Sequence, residues 1–88
     1  MENKIAFSED GFADYLYWQS KDRKTLDRIN RLIKDIQRNG LSEGIGKPES
    51  LRHEDGWSRR IDDKNRLMYR NENGTLLIVS CRGHYKDH

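Results

Sequence analysis

The sequence predicts an α+β domain: a small antiparallel sheet of about five strands, with two N-terminal helices packed on one of its faces. Three observations carry this expectation. Apolar residues from Leu26 to Ile36 recur at helical spacing and form one stripe. From Leu51 onward, short strand-like runs alternate with turn signals. At 88 residues, the chain suffices for one modest core, so 1–88 is read as a single domain.

The elements follow in order. Lys4 to Phe7 is a short apolar segment that suits a first strand. Ser8 supplies an N-cap oxygen, and Glu9 and Asp10 place negative charge in the first turn of a helix. Phe12, Tyr15, Leu16 and Gln19 continue at helical spacing. Tyr15, Tyr17 and Trp18 are read as core anchors rather than a base-stacking platform. Asp22 caps a second helix with its stripe Leu26, Ile29, Leu32, Ile33 and Ile36, and Asn39-Gly40 ends it. Its basic residues, among them Lys24, Arg28, Arg31 and Lys34, are read as a solvated face. Leu41 to Ser50 contains Pro48, the only proline, and reads as a loop. Leu51–His53 then leads to the turn dipeptide Asp55-Gly56, Trp57–Ile61 to Asp62-Asp63-Lys64-Asn65, and Arg66–Arg70 to Asn71-Glu72-Asn73-Gly74. Thr75–Arg82 is the last strand. The order is β-α-α-β-β-β-β, with the helices on one side of the sheet and the other side open.

Strand alternation describes that open side. Arg66, Met68 and Arg70 share one face and Leu67 and Tyr69 the other. Leu76, Ile78, Ser80, Arg82 and His84 alternate against Leu77, Val79, Cys81, Gly83 and Tyr85. The net charge is only +2. Its distribution is more telling, because residues 1–44 balance, while residues 45–88 carry nine basic and seven acidic side chains, with six arginines among the basic ones. Arginine offers a planar fork suited to phosphate. The single Cys81 rules out an internal disulfide, which fits a reducing cytoplasm. No apolar stretch is long enough to span a bilayer, and no signal peptide is expected.

Cleaving RNA without a metal requires a base for the ribose 2′-OH, a cation for the phosphorane oxygens and an acid for the departing 5′ oxygen. The chain offers Glu49 in a loop beside the sheet, arginines at 52, 59, 60, 66, 70 and 82, and His84 near the end. A zinc set drawn from Cys81, His84, His88 and His53 is disfavoured, since His88 is the last residue and Cys81 and His84 differ in strand parity. No cofactor motif appears.

Several segments together resemble the YoeB/Txe branch of the RelE toxin family. They are Gly46-Lys47-Pro48-Glu49-Ser50-Leu51-Arg52-His53, Gly56-Trp57-Ser58-Arg59-Arg60-Ile61, Asn65-Arg66-Leu67-Met68-Tyr69 and Cys81-Arg82-Gly83-His84-Tyr85, supported by Tyr15-Leu16-Tyr17-Trp18-Gln19 and Ile29–Lys34. The resemblance spans roughly residues 4–85. It implies a toxin of a type II toxin–antitoxin module that cleaves mRNA in the ribosomal A site. Glu49 would be the general base and His84 the general acid. Arg66 would stabilise the phosphate, Arg60 would hold the RNA backbone or orient Glu49, and Tyr85 would position the substrate. Lys47 and Arg52 would be phosphate contacts, and Arg59 and Arg82 of the arginine face are further expected RNA contacts. The implied partners are a YefM/Axe-like antitoxin, the ribosome with its mRNA, operator DNA bound by the toxin–antitoxin complex, and a second copy in a homodimer. The chain departs from the pattern at Gly83, where a bulky aromatic is common, and in continuing past Tyr85 as Lys86-Asp87-His88.

Two other classes make different predictions. An inactive relative that binds an antitoxin and co-regulates transcription would leave cell growth unimpaired. A non-catalytic RNA-binding domain would bind free RNA tightly and with steep salt dependence.

Overall fold

The computed structural model describes residues 4–52 and 55–83. The chain runs through β1 (Ile5–Phe7), α1 (Glu9–Lys21), α2 (Arg23–Asn39), β2 (Glu49–Ser50), β3 (Trp57–Arg60), β4 (Arg66–Glu72) and β5 (Thr75–Ser80). One five-stranded sheet has the order β1-β5-β4-β3-β2. The meander β2 to β5 is antiparallel, whereas β1 lies parallel to β5, with Ile5 opposite Leu76, so the sheet is mixed. Tight turns can join only antiparallel neighbours; β1 reaches β5 through the whole intervening chain, which permits parallel pairing.

Both helices start as their capping residues dictate. Ser8 Oγ accepts from the Gly11 N–H at 3.0 Å and donates to the Val79 carbonyl at 2.7 Å, so one hydroxyl caps α1 and ties it to β5. Ser8→Ala is expected to destabilise the fold by about 1–2 kcal/mol, read as a lower urea midpoint at unchanged slope. Asp22 ends α1 and caps α2, accepting from the N–H groups of Lys24 and Thr25. The hydroxyl of Thr25 and these N–H donors lower its carboxyl below the usual range.

The α2 stripe lands as its spacing requires: Leu26, Ile29, Leu32, Ile33 and Ile36 are all buried. They pack with Leu67, Tyr69, Leu76, Ile78 and Cys81 from the sheet, and full burial of each aliphatic contributes about 1.5–3 kcal/mol. In α1 the buried positions are Gly11 and Trp18, while Phe12 and Leu16 are exposed. A Cβ at Gly11 would meet the Ile78 carbonyl at 2.3 Å. That close approach sets which face of α1 turns inward and leaves Phe12 and Leu16 outside. Trp18 is a core anchor, its indole N–H donating to the Cys81 carbonyl at 2.8 Å, and Tyr15 and Tyr17 pack against the core.

Two local expectations are corrected. The strand placed at Leu51–His53 lies earlier, at Glu49–Ser50, and the Leu51 N–H closes a longer loop onto the Gly56 carbonyl at 2.9 Å. Asp55-Gly56 therefore belongs to a wide loop rather than a two-residue hairpin, and His53 lies outside the described residues. In β5, Ile78 opposes Tyr69 but Ser80 opposes Met68, so Val79 is an extra, bulged residue. The bulge reverses the parity: Leu76, Ile78 and Cys81 face the core, while Ser80 lies with Met68 on the open face.

Candidate active site

On the open face, cross-strand register assembles a row from three strands. Glu49 on β2 opposes Ser58 on β3, and Ser58 opposes Met68 on β4. One step along, Arg60 directly opposes Arg66. Directly opposed residues share a face, and like charges in that relation destabilise a sheet. Two arginines placed so break a local rule, as sites built for an anion do.

Arg66 is the centre of this group. Its Nε donates to Ser58 Oγ at 3.1 Å and its Nη2 approaches Glu49 Oε1 at 3.4 Å, the longer and weaker contact. Ser58 is buried, Arg66 largely so, and Glu49 is two-thirds exposed. Glu49 thus stands on an edge strand, not in a loop, with its carboxylate reachable from solvent and steadied by a cation. Arg60 pairs with Asp63, and its backbone is held on both sides: the N–H donates to the Gly46 carbonyl at 2.7 Å, and the carbonyl accepts from Arg28 Nη2 at 3.1 Å. Among the described contacts Arg60 does not touch Glu49.

The chain beyond β5 is brought to the same place. The Arg66 N–H donates to the Gly83 carbonyl at 2.9 Å, and the Gly83 N–H donates to Asn65 Oδ1 at 2.8 Å. Asp14 accepts from the Cys81 N–H at 3.0 Å, which with Trp18 anchors the strand end to α1. His84 and Tyr85 lie outside the described residues. Burial, and secondarily the charge of Asp14, push the Cys81 thiol up to about 12, so this cysteine is packing rather than a nucleophile.

The remaining expected RNA contacts are dispersed. Lys47 is exposed, with φ 52, just before β2, and Arg52 is exposed just after it. The Arg82 guanidinium lies 3.6 Å from the centroid of the Tyr17 ring on α1. Arg59 is a correction: it is wholly buried on the helix side and cannot be an RNA contact in this fold. Its guanidinium donates to Asp35, to Tyr69 Oη, and to the carbonyls of Gly40, Glu43 and Ile45. The segment after α2 is therefore a cup around Arg59 rather than a free loop. Gly44, at φ +121, is required there, since a Cβ would fall 1.8 Å from Asp35 Oδ2. Strand parity carried the signal: Arg59 shares a face with Trp57 and Ile61, whereas Ser58 and Arg60 point the other way. Ser58, which accepts from Arg66, and Asp35, which accepts from Arg59, are the partners that sequence reasoning missed.

Burial pushes the Asp35 carboxyl up, but the hydrogen bonds from Arg59, the Ile45 N–H and Asn39, with the charge of Arg59, outweigh it and hold the carboxyl below the ordinary aspartate value. A carboxylate depressed by folding contributes stability above its unfolded value and loses it as pH falls through the folded one. The urea midpoint is expected to hold to about pH 5 and to fall steeply below about pH 4. Asp35→Asn should be less stable at neutral pH and flatter in this acid range.

Among the described residues no group of three His, Cys, Asp or Glu is placed to share a metal ion, and no helix is long and apolar enough to cross a membrane. On the far side of the molecule, Ile5, Phe7, Phe12, Tyr15 and Ile33 line an apolar groove of about 450 Å³.

Two helices on one face of a five-stranded mixed sheet make this a small α+β domain of the RelE-like fold class. The family pattern described as "YoeB-like toxin of bacterial type II toxin-antitoxin system" matches residues 7–85. The chain belongs to this YoeB family. It is 48% identical to toxin YoeB of Escherichia coli K12 over 84 residues, covering 93% of this chain and 99% of that one. Among solved structures it superposes on the YoeB dimer from Staphylococcus aureus with TM-score 0.87 at 45% identity, and on YoeB in the heterotetrameric YoeB–YefM complex of that organism with TM-score 0.86 at 45% identity. Each comparison covers 93% of this chain and 97% of the other.

Proposed function

We propose that this toxin is a ribosome-dependent endoribonuclease that cuts mRNA in the A site by metal-independent attack of the ribose 2′-OH. The observation that carries the proposal is the convergence of Glu49, Arg66 and the Gly83 backbone on the open face, with Arg60 directly opposite Arg66. In the reaction, the Glu49 carboxylate takes the 2′-OH proton and the 2′ oxygen attacks the adjacent phosphorus. Arg66 and Arg60 stabilise the phosphorane oxygens. His84, one residue past Gly83, protonates the departing 5′ oxygen, leaving a 2′,3′-cyclic phosphate and a 5′-hydroxyl. Tyr85 positions the nucleotide, and Lys47 and Arg52 flank β2 as phosphate contacts. Glu49 is exposed and the groups are sparse, which suits an enzyme whose substrate is oriented by a partner.

The same reading places the protein in the cytoplasm as a homodimer, neutralised by a YefM/Axe-like antitoxin and binding operator DNA as the toxin–antitoxin complex. The S. aureus dimer and YoeB–YefM structures support the second copy and the antitoxin. The apolar groove beside β1 has the character such a partner requires, since it leaves Ile5 and Phe12 exposed. The test is cleavage by purified protein of mRNA on ribosomes stalled with a defined A-site codon, mapped at nucleotide resolution. The expected result is a cut within that codon, with the same mRNA left intact when free. Intact mRNA on the ribosome, together with unimpaired growth on induction without antitoxin, would refute the proposal.

A further inference from the structure

We infer that Ser58 is a positioning residue for Arg66, setting how that cation is shared between Glu49 and the substrate phosphate; this rests on the cleavage reading above. Ser58 occupies the middle of the open-face row, between Glu49 on one neighbouring strand and Met68 on the other. It is only 2% exposed, and a buried hydroxyl is costly unless it is hydrogen-bonded. Its partner is Arg66 Nε, at 3.1 Å, reached along the diagonal of the β3–β4 pair.

The guanidinium is a rigid planar fork with five N–H donors, so holding Nε fixes the plane of the whole group. With Nε on Ser58, one Nη2 hydrogen faces Glu49 at 3.4 Å, and among the described residues Nη1 has no partner. Arg66 therefore contacts one oxygen of Glu49 through one nitrogen and keeps donors for a phosphate. Without the hydroxyl, Nε and Nη2 are released together, and their parallel N–H pair matches both oxygens of a carboxylate. Arg66 then closes on Glu49 in a two-pronged pair, which occupies the base and withdraws the cation from the phosphate. The hydroxyl thus keeps the base and the cation adjacent without letting them neutralise each other.

The test is single-turnover cleavage on programmed ribosomes with Ser58→Ala and Ser58→Thr, each verified as folded by circular dichroism, beside wild type and Glu49→Gln. Ser58→Ala should lower the maximal rate about tenfold to a hundredfold, the scale of one hydrogen bond to a charged group, with the half-saturating ribosome concentration unchanged. Ser58→Thr keeps the hydroxyl and should restore most of the rate. A merely structural role would leave the maximal rate per folded molecule unchanged. An Ala variant at the wild-type rate, with Glu49→Gln inactive, overturns the inference and spares the cleavage reading. A wild type that cuts nothing on the ribosome overturns both. A second measurement needs no variant: the Arg66 Nε–H in the wild-type protein should exchange with solvent slowly by nuclear magnetic resonance. Exchange as fast as that of a free arginine overturns the inference.

Discussion

Arg59→Met is expected to destabilise the protein by about 3–5 kcal/mol, the cost of removing one partner of a buried ion pair. The side chain is wholly buried, with its charge matched by Asp35 at 2.6 Å and its remaining donors used by Tyr69 Oη at 2.9 Å and three backbone carbonyls. Methionine fills comparable space but leaves the Asp35 carboxylate only its Ile45 N–H and Asn39 donors, with no cation, and the carbonyls of Gly40, Glu43 and Ile45 without their donor. Each loss is a desolvation cost with nothing in return. The total stability of a small domain is about 5–15 kcal/mol, so the variant should lose a large share of it and melt well below wild type. Arg59→Lys should recover little, because a single ammonium cannot span acceptors arranged around a planar fork. Urea denaturation of both variants and of Asp35→Ala checks this. A loss below about 1 kcal/mol in Arg59→Met would show that the cup is not a stability element. The double variant Arg59→Met/Asp35→Ala should cost much less than the sum of the two single changes, since it removes the charges together.

The second large effect concerns activity with the fold intact. Glu49→Ala and Arg66→Ala are each expected to lower the maximal rate of ribosome-bound mRNA cleavage by about 10²–10⁴. Glu49 is mostly in solvent, so Glu49→Ala should leave the urea midpoint close to wild type, whereas Arg66→Ala orphans the buried Ser58 hydroxyl and should cost about 1–3 kcal/mol while the domain stays folded. The Glu49–Arg66 contact is long, at 3.4 Å, and its carboxylate is mostly in solvent, so losing that contact alone has little stability consequence. His84→Ala should match these losses, and combining it with Glu49→Ala should add little, because groups acting in one step are not additive. Arg60→Ala should fall less, as its pairing with Asp63 and its exposure leave it a supporting cation. Full activity in Glu49→Ala would remove this carboxylate from the mechanism. The contrast between the neighbouring arginines is sharp: Arg59→Met should fail in stability, and Arg60→Ala in activity alone.

Much of the framework was legible because its causes are local. Ser8 and Asp22 cap helices through N–H groups two or three residues away, the Leu26–Ile36 stripe needs only the helical period, and the turns between β3, β4 and β5 lie in contiguous polar residues. The three candidate chemical groups were legible as residue types, and the family resemblance gave them roles. The errors came where distant residues settle a local choice. Val79 bulges because β5 must pair with β4 while carrying Cys81 into the core beside Trp18, and no single-strand pattern reveals that. Gly11 turns α1 because a carbonyl of β5 lies against it. Glu49 joins the sheet because Ser58 is opposite, although its own neighbours Pro48 and Ser50 read as loop.

By itself, the sequence determined two capped helices, an antiparallel meander and a face rich in arginine, since hydrogen-bond reach and side-chain periodicity act within a few residues. Only the tertiary structure decided which arginines that face presents. Arg59 is taken inside by Asp35, 24 residues away, and by a cup of carbonyls, while Arg60 and Arg66 are left opposed on the other face, Arg66 against Glu49. Adjacent residues of identical charge were separated by strand parity and by which of them found a half-buried carboxylate. A guanidinium can leave water only where fixed acceptors replace it, and only the folded chain brings those acceptors together.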